Sequence, residues 1–316
     1  MSILQRNSGA AAMVAGGLLL GTLGVFLEEA GQHPLTAVFF RCVFGAAALA
    51  AFALVAGRAR ELRVDRRGLA LAALAGGLMT AMWTAFFAAI QWTSIAVATV
   101  AFHLQPVWLM LAGAWWLGER LSLARAAAAG AALVGLVLAT GLWSAGLPSD
   151  QPLFAWGLGL AVLGSVCYAV VSLLAKQQRR LTSLGFTFWQ CVVGTGLLLW
   201  WPWTHDLANR WAEWPWDTWA WLAGLGVIHT GLAYALMYGA MQRLEAGRIA
   251  VLQFVYPITA IVLDAVIYGR TLSTLQWTGV AIMGAALWCA ARAPATGEAR
   301  GIRVGRVGIE PTTKGL

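Results

Sequence analysis

Ten long apolar runs dominate this chain of 316 residues. Each is close to the roughly 20 residues that a helix needs to cross a bilayer, and too long for a strand of a membrane barrel. Lipid offers the backbone no hydrogen-bond partners, so each run is predicted to be a helix. The expected fold class is therefore an all-α membrane protein with ten transmembrane helices. The runs cover approximately residues 8–27, 34–57, 68–90, 94–118, 123–143, 153–175, 183–203, 218–241, 247–268 and 273–292.

The composition excludes an ordinary water-soluble enzyme. Hydrophobic residues make up 60% of the chain and charged residues 11%, and the mean hydropathy is +0.73. Soluble domains carry about 25% charged residues, so this chain could not cover a water-exposed surface. The net charge of +8 resides in short loops, and no nucleic-acid partner is expected. The four cysteines lie inside apolar runs without metal-ligand spacing, so neither a metal site nor a cofactor is expected.

The basic residues predict the orientation. Of the 21 lysines and arginines, all except Arg41, Arg210 and Arg270 lie in loops on one side of the ten runs. The positive-inside rule makes that side cytoplasmic and places both termini there. A multi-pass protein of the cell inner membrane or plasma membrane is predicted. Residues 293–316 are polar, with Gly and Pro, and are predicted to form a disordered cytoplasmic tail.

The chain contains an internal repeat. A shift of 151 positions, called the repeat spacing below, aligns the two halves of the chain without a gap. The first predicted unit is residues 1–145 and the second is residues 151–292. Each unit holds five runs, and five is odd, so the second unit should cross the membrane in the opposite sense. Inverted repeats are typical of secondary transporters, whose substrate site lies at the repeat interface. The identities pair Ala89, Gln91, Val100, Pro106, Gly118, Leu121 and Ser122 with Ala240, Gln242, Val251, Pro257, Gly269, Leu272 and Ser273.

Two prolines occupy equivalent positions in the two units. Pro106 lies at the centre of the fourth run and Pro257 at the centre of the ninth. A mid-helix proline removes a backbone hydrogen bond and kinks the helix. We expect the two kinks to shape a central cavity or to act as hinges. Kinks that membrane helices merely tolerate are the alternative.

The stretch AAIQWTSIAVATVAFHLQPVWLMLAGAWWLGERLS resembles the drug/metabolite transporter superfamily, in its EamA-like branch. The shared features are an aromatic-rich third helix, a Thr-Ser turn, a mid-helix Pro and a closing Gly-Glu-Arg-Leu-Ser. Pro34 followed by Arg41 also resembles the pattern of the second helix. The resemblance implies a central cavity lined by helices one to four and six to nine, with helices five and ten outside it. One departure is Arg270, which stands where the first unit has Glu119.

Polar and aromatic residues at mid-depth in the runs are the candidate substrate contacts. Ionisable groups inside a membrane are costly and are therefore functional candidates, and an aromatic wall with a few polar groups suits small amphipathic solutes. For each residue, helix packing or a hydrogen bond to a neighbouring carbonyl is the alternative. The predicted cavity residues are Trp83, His103, Gln105, Tyr168, Trp189, His229, Tyr234, Gln253 and Tyr256.

Arg41 and Asp264 are predicted to form an outer gate. Arg41 lies seven residues into the second run, about 10 Å deep at 1.5 Å per residue, and Asp264 lies near the outer end of the ninth. The two could face each other or the charges of the substrate. In the alternative, the Arg41 side chain extends to the interface or pairs with Glu28 or Glu29.

These features predict a secondary transporter that exports amino acids or related small metabolites by alternating access. The chain has no Walker A motif, so a proton or solute gradient is the expected energy source. A carrier of another solute class, such as a cationic drug or a sugar conjugate, is the alternative. A membrane-embedded enzyme is not expected, because no catalytic motif is present, and a structural subunit would leave the paired prolines unexplained. The expected partners are a small-molecule substrate and the lipid bilayer, and the sequence leaves open a homodimer.

Overall fold

The computed structural model describes residues 3–147, 152–205 and 211–292, and this part of the chain is helical with no β-strand. The predicted tail, 293–316, lies outside the described residues. The apolar helices are α1 (Ile3–Gly21, continued by Leu23–Ala30), α2 (Pro34–Val55), α3 (Arg66–Trp92), α4 (Ile95–Phe102 and Gln105–Trp116), α5 (Leu123–Ala139), α6 (Phe154–Gln177), α7 (Ser183–Leu198 and Trp200–Thr204), α8 (Trp216–Gly224, Leu225–Leu232 and Ala233–Met241), α9 (Ala246–Leu252 and Val255–Ile267) and α10 (Thr274–Arg292).

Eight of the helices in the described ranges, all but α5 and α10, are long and apolar enough to cross a membrane. The 17 residues of α5 span about 25 Å, slightly less than a typical hydrocarbon core of about 30 Å. Large apolar side chains point outward, with Val55 90%, Trp115 88% and Leu123 85% exposed. Such a surface is suited to lipid and not to water.

Local sequence fixes where several helices begin. The side chain of Asp65 accepts a hydrogen bond from the backbone N–H of Gly68 and begins α3, and Thr182 does the same for Gly185 in α7. Pro34 stands in the first turn of α2, where its missing N–H costs nothing. These caps satisfy backbone donors that the first turn of a helix leaves free.

Helices α4 and α9 are broken at corresponding places. The first break falls at His103 and Leu104 and the second at Gln253 and Phe254, each shortly before a proline. The two broken helices, Ile95–Trp116 and Ala246–Ile267, begin and end one repeat spacing apart. Gly118 and Gly269, which follow them, both have positive φ, 64° and 63°. The two halves of the chain therefore repeat the same local backbone geometry.

Contacts near the ends of the helices show which helix ends lie side by side. Arg180 after α6 pairs with Asp65 before α3 at 2.9 Å. The side chain of Gln276 in α10 donates to the carbonyl of Ala139, the last residue of α5, at 3.3 Å. The start of α6 packs against the end of α3, since a Cβ on Gly157 would lie 2.8 Å from Thr93. These contacts fit helices that alternate in direction along the chain.

Helices α5 and α10 pack tightly against each other. A Cβ built on Gly279 would lie 2.4 Å from the carbonyl oxygen of Gly135 and 2.5 Å from the backbone nitrogen of Ala139. Only glycine permits backbones to approach this closely. Neither helix lines the two cavities described below, which lie among the other eight helices.

Candidate functional site

A central cavity encloses about 620 Å³ of space not filled by protein atoms. Helices α1, α3, α4, α6, α8 and α9 line it, so both halves of the chain contribute. Apolar walls come from residues such as Met82, Phe86 and Phe102. Seven of the nine predicted cavity residues are on its wall: Trp83, His103, Gln105, Tyr168, Tyr234, Gln253 and Tyr256.

The two helix breaks bring a pair of buried amides together at this cavity. The Gln105 side chain donates from Nε2 to Oε1 of Gln253 at 2.8 Å, which joins α4 to α9. The pairing leaves Oε1 of Gln105 and Nε2 of Gln253 without a hydrogen-bond partner. A buried amide atom that lacks a partner costs free energy. The cavity wall therefore offers one acceptor and one donor to a polar ligand.

His103 lies at the break in α4. Its Nδ1 is 2.7 Å from the Thr99 carbonyl oxygen, and because a carbonyl can only accept, Nδ1 carries the proton. In the neutral ring Nε2 is then an acceptor. The ring stacks on Tyr256 with 5.7 Å between centroids, which fixes its orientation beside the cavity.

A second cavity, of about 380 Å³, lies between α2, α3, α7 and α8. Trp83 and Tyr234 form part of the wall of both cavities. These two residues are one repeat spacing apart in the sequence. A single pair of equivalent aromatic side chains therefore lies at the boundary that the two cavities share.

Arg41 lies on the wall of the second cavity with only 3% of its surface exposed. Its Nε donates to the Thr230 hydroxyl at 2.9 Å, and its guanidinium carbon lies 4.5 Å from the centre of the Trp83 ring. Thr230 belongs to the segment Leu225–Leu232, which is π-helical, and its hydroxyl donates to the Leu225 carbonyl. Such π-helical segments occur frequently at functional sites.

Of the two arrangements predicted for the outer gate, the structure shows no direct contact between Arg41 and Asp264 among the described residues. Asp264, 38% exposed in the last turn of α9, accepts a hydrogen bond from Arg270 at 3.1 Å. Glu28 lies 3.9 Å from Arg270, and Glu29 accepts from Tyr268. The alternative partners predicted for Arg41 are therefore also engaged elsewhere. Arg41 is held inside the protein because α2 presents it to α3 and α8.

His229 and Trp189 lie outside both cavities. The ring nitrogens of His229 are 2.8 Å from the Thr22 hydroxyl and 3.3 Å from the Gly224 carbonyl, so the ring joins α8 to α1. The Trp189 indole N–H donates to the Leu62 carbonyl, 2.9 Å away, in the turn between α2 and α3. Both side chains have partners within the protein, which corresponds to the packing alternative.

Sequence reasoning missed Gln190, on the wall of the second cavity. The chain position next to it, Trp189, was selected in its place. The Gln190 Oε1 accepts from the Tyr238 hydroxyl at 2.9 Å, and its Nε2 has no partner. An amide in the middle of an apolar run was the signal, because polar groups within the membrane are costly unless they are used.

Comparison with known proteins gives consistent results. The family model described as "EamA-like transporter family" matches residues 7–141 and 155–292. The chain is 27% identical over 287 residues to the uncharacterized transporter YxxF of Bacillus subtilis, covering 91% of this chain and 90% of that protein. It is also 27% identical over 277 residues to an uncharacterized transporter of Archaeoglobus fulgidus, covering 87% and 93%. A solved crystal structure has the same fold, with a TM-score of 0.76 and 23% identity over 90% of this chain and 96% of that one.

Proposed function

The chain belongs to the EamA-like transporter family, and from this premise we propose how this multi-pass membrane transporter works. It is a secondary transporter that exports amino acids or related small metabolites by alternating access. The observation that carries the proposal is the central cavity, which both halves line and which the two broken helices border. Cavities between repeats, bordered by discontinuous helices, are where secondary transporters bind their substrates.

All ten helices cross the membrane in this proposal, and the two halves have opposite orientations. The contacts near the helix ends support it, as do the matching breaks in α4 and α9. The termini lie in the cytoplasm, on the side of the basic loops. Pro106 and Pro257 act as hinges at which the outer and inner parts of α4 and α9 move separately.

The lining supports a small amphipathic solute. Aromatic and methionine side chains form most of the wall, and unpaired amide atoms of Gln105 and Gln253 add a few polar contacts. Apolar pockets with few polar groups take ligands that are partly apolar themselves. Export is driven by a proton gradient or by the gradient of the solute, and the proton acceptor of His103 is the candidate for coupling.

Flux through proteoliposomes tests this function. Vesicles loaded with unlabelled leucine, phenylalanine, glutamate or lysine are diluted into the labelled amino acid, with and without a pH gradient. The proposal predicts saturable exchange of at least one of them. Thr99→Trp, which fills the central cavity, should abolish the exchange. Leu111→Trp, on the outward face of the same helix with 47% exposure, is the matched control and should retain it.

Two results would overturn the proposal. Saturable flux of a cationic drug or a sugar conjugate, without flux of any amino acid, would favour the alternative solute class. Absence of all saturable flux from folded protein would favour an enzyme or a structural subunit. The cationic alternative has less support, because no carboxylate lines either cavity in the described part of the chain.

A further inference from the structure

The buried guanidinium of Arg41 lacks a counter-charge. No carboxylate pairs with it among residues 3–147, 152–205 and 211–292, and its Nη2 has no hydrogen-bond partner. Arginine stays protonated in proteins, so the charge is permanent. A buried charge is expensive unless an opposite charge compensates it. The outer carboxylates Glu28 and Asp264 do not do so, since both face Arg270.

The surroundings of Arg41 hold the guanidinium in one orientation. The Trp83 ring lies against one face of the guanidinium at 4.5 Å, and Thr230 accepts a hydrogen bond from Nε at its edge. Preorganised donors lose little entropy when a ligand binds. The Arg41 guanidinium is therefore a preorganised hydrogen-bond donor and not a mobile side chain.

A second unpaired donor lines the same cavity. The Gln190 Oε1 is occupied by the Tyr238 hydroxyl, which leaves its Nε2 as a donor without a partner. Gln190 is 6% exposed and Arg41 is 3% exposed. Two buried donors, one of them charged, line this cavity, and no carboxylate among the described residues does so. This combination suits a small anionic group.

We propose that the second cavity binds the carboxylate of the transported solute, through the guanidinium of Arg41 and the side-chain amide of Gln190. Because Trp83 and Tyr234 border both cavities, a solute held there by its carboxylate can extend its remaining part into the central cavity. There, Oε1 of Gln105 and Nε2 of His103 are acceptors for a polar group at the distal part of the solute. The inference rests on the proposed function and narrows the solute class to carboxylates, a class that includes the amino acids.

Paired ligands that differ only in the carboxylate test the inference. Leucine with leucinamide, and phenylalanine with phenylalaninamide, are titrated into the purified protein in chloride-free detergent buffer while thermal unfolding is followed by tryptophan fluorescence. The carboxylates should protect the wild type and the carboxamides should not. Arg41→Gln should weaken carboxylate binding about tenfold or more, because it removes charge-assisted hydrogen bonds. Arg41→Lys keeps the charge without the planar fork and should retain part of the affinity.

Arg270→Gln is the matched control, because it removes an arginine that is 59% exposed at the surface, and its binding should equal that of the wild type. The inference is overturned if no carboxylate protects the wild type, if carboxamides protect it equally, or if both Arg41 variants bind as the wild type does. Protection by added chloride that carboxylates do not displace would also overturn it, since Arg41 would then hold an inorganic ion.

Flux separates this inference from the proposed function. If carboxylates bind through Arg41 but none is exchanged across the vesicle membrane, the proposed transport of amino acids is contradicted and the proposed binding site is supported. If the wild type and Arg41→Gln exchange amino acids with the same half-saturating concentration, the binding site fails and transport stands.

Discussion

Buried polar residues in this protein differ in whether their hydrogen-bonding atoms have protein partners. Both ring nitrogens of His229 have partners, Thr22 and the Gly224 carbonyl, whereas Arg41 and Gln190 each keep a donor without one. The partners of His229 stabilise the packing of α8 against α1. The unpartnered donors of Arg41 and Gln190 can instead bind a ligand at the cavity wall. A buried histidine and a buried arginine of similar depth can therefore have different roles.

Thr22→Val is predicted to destabilise the protein by about 1 kcal/mol, because it leaves Nε2 of the buried His229 without its partner. Thr84→Val is the control: the Thr84 hydroxyl bonds only to a carbonyl of its own helix, and the side chain is exposed. Thermal unfolding in detergent measures both. Equal melting temperatures for the two variants would contradict the role given to His229.

The sequence predicted how deep a residue lies along its helix, but it did not predict on which side of the helix the side chain lies. The mid-run position correctly drew attention to residues such as Gln105 and Tyr256, which do line the central cavity. Trp189 and Gln190 have nearly the same depth but point about 100° apart around α7. A helix that is apolar on all sides carries no amphipathic pattern to show which face meets the cavity. The choice between those two neighbours therefore needed the structure.

Among the helices, α5 and α10 form a separate pair beside the two cavities. Their contact depends on glycine, because the backbone of Gly279 lies against Gly135 and Ala139. Gly284, further along α10, has nothing within 4 Å of where a Cβ would stand. The same substitution in one helix therefore meets two different environments.

Gly279→Ala is predicted to destabilise the protein by about 2 kcal/mol, because the added methyl would overlap the backbone of α5. Gly284→Ala should leave stability unchanged or slightly raised, since alanine is the better helix former. The melting temperatures of the two variants are measured in the same detergent and compared. If the two variants melt together, α5 and α10 do not pack as described.

The extents of the helices were largely predictable, because apolar runs and capping residues mark them. The fifth run was expected to reach residue 143, but α5 ends at Ala139, before Gly141 with a φ of 72°. The breaks in α4 and α9 follow from their prolines. The π-helical segment of α8 was not predictable, since LGVIHTGL contains no proline and its geometry goes with long-range contacts such as that from Arg41 to Thr230.

For the whole molecule, we propose two five-helix units inserted with opposite orientations around a shared pair of cavities. The chain was expected to have ten membrane helices, and eight are long and apolar enough by themselves within the described ranges. The repeat spacing was visible in the sequence because the same turn follows α4 and α9. The presence of two cavities was not visible in the sequence, because it depends on where helix packing places Trp83 and Tyr234.

Labelling of equivalent loop positions tests the opposite orientations most directly. Arg120 and Thr271 are exposed, lie one repeat spacing apart and follow α4 and α9. Each is replaced by cysteine in a Cys289→Ala background, which removes the exposed native cysteine. With a membrane-impermeant maleimide on intact cells, the account predicts that Thr271→Cys is labelled and Arg120→Cys only after permeabilisation. Labelling of both positions from the same side would contradict it.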